Sequence, residues 1–376
     1  TERVEKKMDE VGVGVVAIGR NEGERLKRCL RSLPAGLPIV YVDSGSTDGS
    51  VAFARSQGVA VVELDMSIPF TAARARNAGL ARLVQQRPRA SFKPSSKLAY
   101  VQFIDGDCEL IAGWFEAAFA QFAQDDEIAV VCGRTVEKYP TATRYNQLAD
   151  MEWDTAQPGE VTACGGIALM KIEAIQAVTG FNPQLICGEE PEMCLRMRRQ
   201  GWKIWRLATP MTYHDADMHH FGQWWKRMTR TGWAVAEGYA LYGQAPEQYM
   251  QREYSSGWLW GLVVPLLSLA LLWPSHGLSL LLLVVYPLLA VRIYQGRRRH
   301  GDSPAKSRLF AGFITLSKLP QVLGQLKYWR LRWQGQTPQL IEYKAASPSA
   351  SSPSVPSSSQ PISSHSVPAP SGGETV

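Results

Sequence analysis

Between residues 11 and 107 the chain alternates short apolar runs with amphipathic segments of helical period, and no other feature restricts the fold as strongly. The runs at 13–18, 39–42, 60–64 and 100–104 have strand length and are rich in Val, Ile and aromatic residues. Segments 22–33, 50–57 and 71–83 lie between them, and the first carries Leu26, Cys29, Leu30 and Leu33 at i, i+3, i+4 and i+7. Such an alternation predicts α/β architecture, a mostly parallel sheet with flanking helices. Ligands of such sheets bind beyond the carboxyl ends of the strands. Three of these ends are polar: Gly19-Arg20-Asn21-Glu22, Asp43-Ser44-Gly45-Ser46 and Asp105-Gly106-Asp107. A 376-residue chain that is 45% hydrophobic has ample material for such a core.

The Asp105-Gly106-Asp107 end carries the most chemistry. Two carboxylates separated by glycine at a strand terminus suit a hard divalent cation, Mg²⁺ or Mn²⁺, that offsets the charge of a nucleotide diphosphate. One Asp then holds the metal while the other reaches the ribose. The hydroxyls and carboxylates from Asp43 to Asp48 suit hydrogen bonding to a ribose or base edge. They equally suit a turn that caps a helix at Asp48 or Ser50. Arg76 is positioned to meet the diphosphate by a charge-assisted contact, although an exposed helix face accounts for it too.

Residues 110–251 are mixed in pattern and rich in tryptophan, and read as the second half of the same domain. Two apolar runs follow, 257–273 and 277–293, each of 17 residues. Each is about 25 Å long as helix against about 30 Å of hydrocarbon, so a transmembrane hairpin and a re-entrant one both stay open. Lys and Arg flank the outer ends and are absent from the turn, which puts both ends on the cytoplasmic side. Segment 292–344 holds eleven Lys and Arg against Asp302 and Glu342, so the net charge of +6 reflects a local basic collar. Within it, 305–335 reads as an interfacial helix on anionic lipid in preference to a nucleic-acid patch. The Ser/Pro-rich stretch 346–376 is expected to be disordered. Six cysteines without a C-x-x-C pair, and no apolar stretch near Thr1, suggest a reduced cytoplasmic catalytic part.

Val15-Val-Ala-Ile-Gly-Arg-Asn-Glu, Val42-Asp-Ser-Gly-Ser-Thr-Asp, Ala75-Arg-Asn-Ala-Gly, Asp105-Gly-Asp and Gly188-Glu-Glu-Pro-Glu-Met-Cys-Leu-Arg together resemble the family 2 inverting glycosyltransferases in order and spacing. The resemblance covers roughly residues 11–237. It implies a GT-A fold in which Asp43 contacts the uracil or ribose, Asp105 the nucleotide and Asp107 the metal, with His214 as a further metal ligand. It also implies that Cys164-Gly165-Gly166 lines the acceptor side, and that Glu190 is the catalytic base, with Glu189 as the alternative. Pro191, suited to a helix first turn, sets Glu190 at the positive end of that helix. Two features depart from the family pattern. Ser44 stands where a second carboxylate is common, and Gln223-Trp-Trp-Lys-Arg-Met lacks the Q-x-x-R-W register of processive members.

The reading is therefore an inverting transfer of a sugar from a nucleotide diphosphate donor, expected to be a UDP-sugar, to an acceptor hydroxyl. Donor contacts are expected from Arg20, Glu22, Asp43, Arg76 and Asp105, acceptor contacts from Gly165, Gly166, Trp224 and Trp225, and metal ligation from Asp107 and His214. The acceptor is expected to be lipid-linked or a saccharide, in polysaccharide or glycolipid synthesis at the inner or plasma membrane, with no nucleic-acid partner. A polyprenyl-phosphate sugar transferase, a processive synthase and an inactive scaffold of the same fold remain as alternatives. A zinc site at His219 and His220 is rejected because no cysteine stands at ligand spacing.

Overall fold

The computed structural model describes residues 12–85 and 98–336, so the expected disordered tail lies outside the described residues. Strand β1 (Val13–Gly19) is buried on both faces over its first five residues, as a central parallel strand should be. Helix α1 (Glu24–Ser32) buries Leu26, Cys29 and Leu30 against the sheet. It carries Glu24 in its first turn and Arg31 in its last, matching the helix dipole. The series continues with β2 (Ile39–Asp43), α2 (Ser50–Ser56), β3 (Ala60–Glu63), α3 (Ala72–Gln85) and β4 (Tyr100–Asp105). Thr71 accepts from the Arg74 backbone N–H, which fixes where α3 begins.

The second half comprises β5 (Cys108–Leu110), α4 (Trp114–Phe122), β6 (Ile128–Glu137), α5 (Arg144–Trp153), β7 (Gly159–Val161) and β8 (Ala168–Lys171). It ends with α6 (Ile172–Ala177), α7 (Glu189–Arg199), β9 (Lys203–His214) and α8 (Phe221–Tyr242). The nine strands among the described residues form one sheet in the order β3-β2-β1-β4-β8-β6-β9-β5, with β7 also paired to β9. The first four strands are parallel, and the sheet is mixed beyond them. Register sets Gly19 opposite Asp43 and Ile18 opposite Asp105, so the polar ends of β1, β2 and β4 finish level. Across β5 and β9, Cys108 pairs with His214, which brings His214 beside Asp107.

Beyond α8 the elements among the described residues are helical: α9 (Gln251–Trp258), a π turn (Leu259–Val263), α10 (Val264–Ala270), a 3-10 segment (Leu278–Val284) and α11 (Val285–His300). They form a hairpin whose two arms meet through polar groups, with Ser279 Oγ donating to the Ser268 carbonyl at 2.7 Å and Tyr286 to the Trp260 carbonyl. Its outside is apolar and open, with Trp273 at the turn 91% exposed and Leu269, Leu278 and Leu281 exposed beside it. Of the described helices, the stretch Leu278–His300 is long and apolar enough to cross a membrane.

The region expected as a single interfacial helix is two, α12 (Pro304–Leu316) and α13 (Lys318–Trp333). Helix α13 lies tightly on α8. A Cβ at Gly232 would overlap the Gln321 carbonyl, and one at Gly324 the Thr229 carbonyl, so the two backbones meet where side chains are missing. Trp233 stacks edge-on against Tyr328 in the same contact. The apolar period of α13 thus serves the protein core on one side, while Leu319, Leu323 and Trp333 stay exposed on the other.

Candidate active site

A cleft of about 650 Å³ opens at the carboxyl ends of β1, β2 and β4, where the register has already brought polar residues together. Arg20, Glu22, Arg76, Asp105, Asp107 and His214 all line it. So do Gly165, Gly166, Glu189 and Glu190 from the far side. Most of the sequence-derived site residues therefore converge on one cavity.

Arg76 is the hub. Its guanidinium is buried and forks, Nη1 donating to Glu189 Oε1 at 2.5 Å and Nη2 to Asp105 Oδ1 at 3.1 Å. Gly166 makes room for it: its φ is +87°, and a Cβ there would come within 2.9 Å of Arg76 Nη2. Glu22 is itself ion-paired to Arg25 at 2.9 Å, and Arg25 reaches Asp217 at 2.8 Å, so the rim after β1 is tied to the loop after β9.

Asp107 Oδ1 and His214 Nε2 stand 3.6 Å apart. Burial lowers the His214 pKa to about 4, so the ring is neutral near pH 7 and its nitrogens can act as ligands. Its Nδ1 is buried without a hydrogen-bond partner, an orphan that needs an explanation in a packed protein. Trp153 holds the ring edge-on at 4.4 Å. A neutral imidazole beside a carboxylate is an N,O donor pair fitting Mn²⁺ or Mg²⁺. The loop carrying His214 is also anchored from below. Glu137 accepts from the backbone N–H groups of Ala216 and Tyr139 at 3.0 Å each, and Asn146 links Glu137 to the Met218 N–H.

Glu190 occupies the first turn of α7, after Gly188 in left-handed conformation. Its carboxylate accepts from the N–H of Cys164 at 2.6 Å, the N–H of Gly165 at 3.0 Å and the Cys194 thiol at 3.1 Å. A carboxylate has about four acceptor positions, so one remains for a ligand in the cleft.

Two expectations are corrected. Asp43 does not line the cleft. It is buried and accepts from within its own turn, from the Tyr41 hydroxyl at 3.0 Å and from the backbone N–H groups of Gly45 and Ser46 at 2.9 and 2.8 Å. It builds the turn, and Ser44 is the residue that lines the cavity. Trp224 and Trp225 do not line it either. Trp224 is 0% exposed in a cluster with Leu148, Met151, Met228 and Phe310, and Trp225 packs against that cluster. The face of α8 turned to the cleft carries Arg227, Arg230, Thr231 and Ala234 instead. Sequence reasoning missed these, though their i, i+3, i+4, i+7 spacing marks a single helix face.

Residues 15–179 match the family model for glycosyl transferase family 2. The chain is 27% identical over 218 residues to the pre-mycofactocin glycosyltransferase of Mycobacterium tuberculosis, covering 54% of this chain and 42% of that protein. It is 27% identical over 210 residues to the succinoglycan biosynthesis protein ExoA of Rhizobium meliloti, covering 52% and 60%. The chain thus spans about half the length of the curated relatives it matches. Among solved structures, a mannosyltransferase from Pyrobaculum calidifontis, in complex with GDP-Man and Mn²⁺, superposes with a TM-score of 0.52 at 17% identity. That likeness, over 84% of this chain and 86% of the other, is one of fold. Residues 15–179 thus resemble a glycosyl transferase family 2 domain, and the sheet with its flanking helices has the GT-A fold.

Proposed function

We propose that this chain transfers a sugar from a nucleotide diphosphate donor to an acceptor hydroxyl with inversion, in polysaccharide or glycolipid synthesis at the cytoplasmic face of a membrane. The observation that carries the reading is the convergence on one cleft of Asp105, Asp107 and His214 from the sheet with Glu190 from the helix opposite. Asp105 and Arg76 bind and orient the donor. A divalent cation, when bound, offsets the charge of the departing diphosphate, and Asp107 with His214 would hold it. Glu190 accepts the proton of the attacking hydroxyl as the new bond to the anomeric carbon forms and the bond to the diphosphate breaks. Glu190 is preferred over Glu189 because the facing oxygen of Glu189 is already taken by Arg76.

The exposed hairpin and the basic residues after it support a lipid-embedded anchor, with a lipid-linked or saccharide acceptor arriving at the membrane surface. Arg227 and Arg230 on the cleft wall favour one second reading, an acceptor that is itself a lipid phosphate.

The deciding experiment is single-turnover transfer by the full chain in detergent, with Mn²⁺ and a panel of UDP- and GDP-sugars. Glu190→Gln and Glu190→Asp are compared, with donor binding measured separately. A hydroxyl acceptor predicts a loss of transfer of about a hundredfold to ten-thousandfold at unchanged donor affinity. Near-normal transfer to a lipid phosphate by Glu190→Gln favours the second reading, because a phosphate needs no strong base.

A further inference from the structure

The cleft has a second group of ligand-type side chains behind it. Glu190 and Cys194 lie four residues apart on α7, one above the other on the same face. Cys164 reaches them from the loop between β7 and β8, where its own N–H is fixed on Glu190 at 2.6 Å. The two sulfurs and a Glu190 oxygen all fall within 4.8 Å of one another, and all three residues are buried. We infer that Cys164, Cys194 and Glu190 form a site for one thiophilic divalent cation, of the Zn²⁺ class, distinct from the pair Asp107 and His214.

The donor set decides the class of ion. Two sulfurs and a carboxylate oxygen match zinc, which takes about 2.3 Å bonds to sulfur and about 2.0–2.2 Å to oxygen in a tetrahedron. Asp107 with His214 offers oxygen and nitrogen, which suit harder ions. Charge balance also favours occupancy. Two thiol protons leave to solvent as two positive charges arrive, so the buried site keeps the net charge of the Glu190 carboxylate. The thiol that now donates to Glu190 becomes a thiolate bonded to the ion, and no hydrogen-bond donor is left stranded. Glu190 lines the cleft, so an ion has a path in, and the fourth coordination position falls to water on that side.

Binding at this site does not depend on the catalytic role of Glu190. Its consequence does, and that part rests on the proposed function: an ion on Glu190 removes the base, so the same ion inhibits transfer.

The test uses the full chain, purified in detergent, with Cd²⁺ as the probe. Thiolate-to-metal absorbance is followed during titration, and X-ray absorption of the wild-type complex at one equivalent counts the sulfur ligands. We expect two sulfurs, and a loss of affinity of at least about tenfold in both Cys164→Ala and Cys194→Ala. The signal should persist in Cys108→Ala, which removes the sulfur beside Asp107. A single sulfur in the wild-type spectrum, or absorbance that survives both substitutions, overturns the site. Two-sulfur binding with undiminished transfer upholds the site and overturns Glu190 as the base.

Discussion

Arg76 and Glu189 meet at 2.5 Å across 113 residues of sequence, and this contact closes the floor of the cleft against its far wall. Both are buried, and Asp105 at 3.1 Å is the second anion on the guanidinium. Removing one partner of a buried pair leaves the other charge uncompensated, at about 3–5 kcal/mol. Arg76→Met should therefore lose stability of that order and lose donor affinity with it. Arg76→Lys keeps the charge but not the fork, so it should lose less of both. Urea unfolding with nucleotide titration checks this, and wild-type values for Arg76→Met would rule out the buried Arg76–Glu189 pair as a structural element.

Metal binding should depend on Asp107 and His214 together. Asp107→Asn and His214→Gln are each expected to weaken Mn²⁺ binding by at least about tenfold, read by Mn²⁺ electron paramagnetic resonance with and without UDP. Glu137 supports the same loop from beneath, through the Ala216 and Tyr139 N–H groups. Glu137→Gln replaces one accepting oxygen with a donor, which should weaken Mn²⁺ binding by about tenfold while the secondary structure stays intact. Unchanged binding in all three proteins would remove the cation from this site.

Glu237 gives the fold a pH dependence. Burial raises its pKa to about 7 from an ordinary value of 4.5, outweighing the Trp233 indole N–H that donates to it at 3.1 Å and the charge of Arg332. Its folded pKa lies above its unfolded one, so the native state binds more protons between those values. Its stabilisation is present in full below about 4.5 and is lost as pH rises through about 7. The expected swing is about 3 kcal/mol. Glu237→Gln is neutral at every pH and should flatten this part of the profile, so urea unfolding at pH 5 and pH 8 should separate the two proteins. Parallel profiles would mean that Glu237 is solvated in solution.

A fragment ending at residue 256 should fold poorly. Trp233, 2% exposed, is covered by Tyr328, and Gly232 lies on the backbone of α13. Cutting there strips α8 along its length. Replacing residues 266–284 with a short Gly/Ser turn leaves that contact in place and should release the protein from membranes with nucleotide binding retained. Fractionation and UDP calorimetry decide, and a replaced protein that still sediments with membranes would shift the anchor to α12 and α13.

The strands of the first half are legible because a parallel strand buried on both faces reads as an unbroken apolar run, as in Val13–Gly19. The place of Asp105 and Asp107 on the cleft is legible as well, since the carboxyl ends of parallel strands open onto the ligand crevice. Asp43 misleads for a physical reason: Asp-Ser-Gly-Ser has the same composition whether its carboxylate meets a ligand or its own turn. Helix α8 misleads differently. It faces an aromatic cluster, the cleft and α13 at once, and helical period identifies faces without saying which neighbour each one meets.

The glycine crossing of α8 and α13 has a mechanical consequence. The helix that walls the cleft is clasped to the one that also packs on the hairpin, because Gly261 sits against the carbonyl of Lys318. Packing therefore runs from the apolar hairpin through α13 to the helix that carries Arg227 and Arg230. With the hairpin in lipid, the clasp would act as a fixed gauge. The cleft would then sit at one height over the bilayer, and the acceptors served would be those whose reactive oxygen stands at that height above their own anchoring tail.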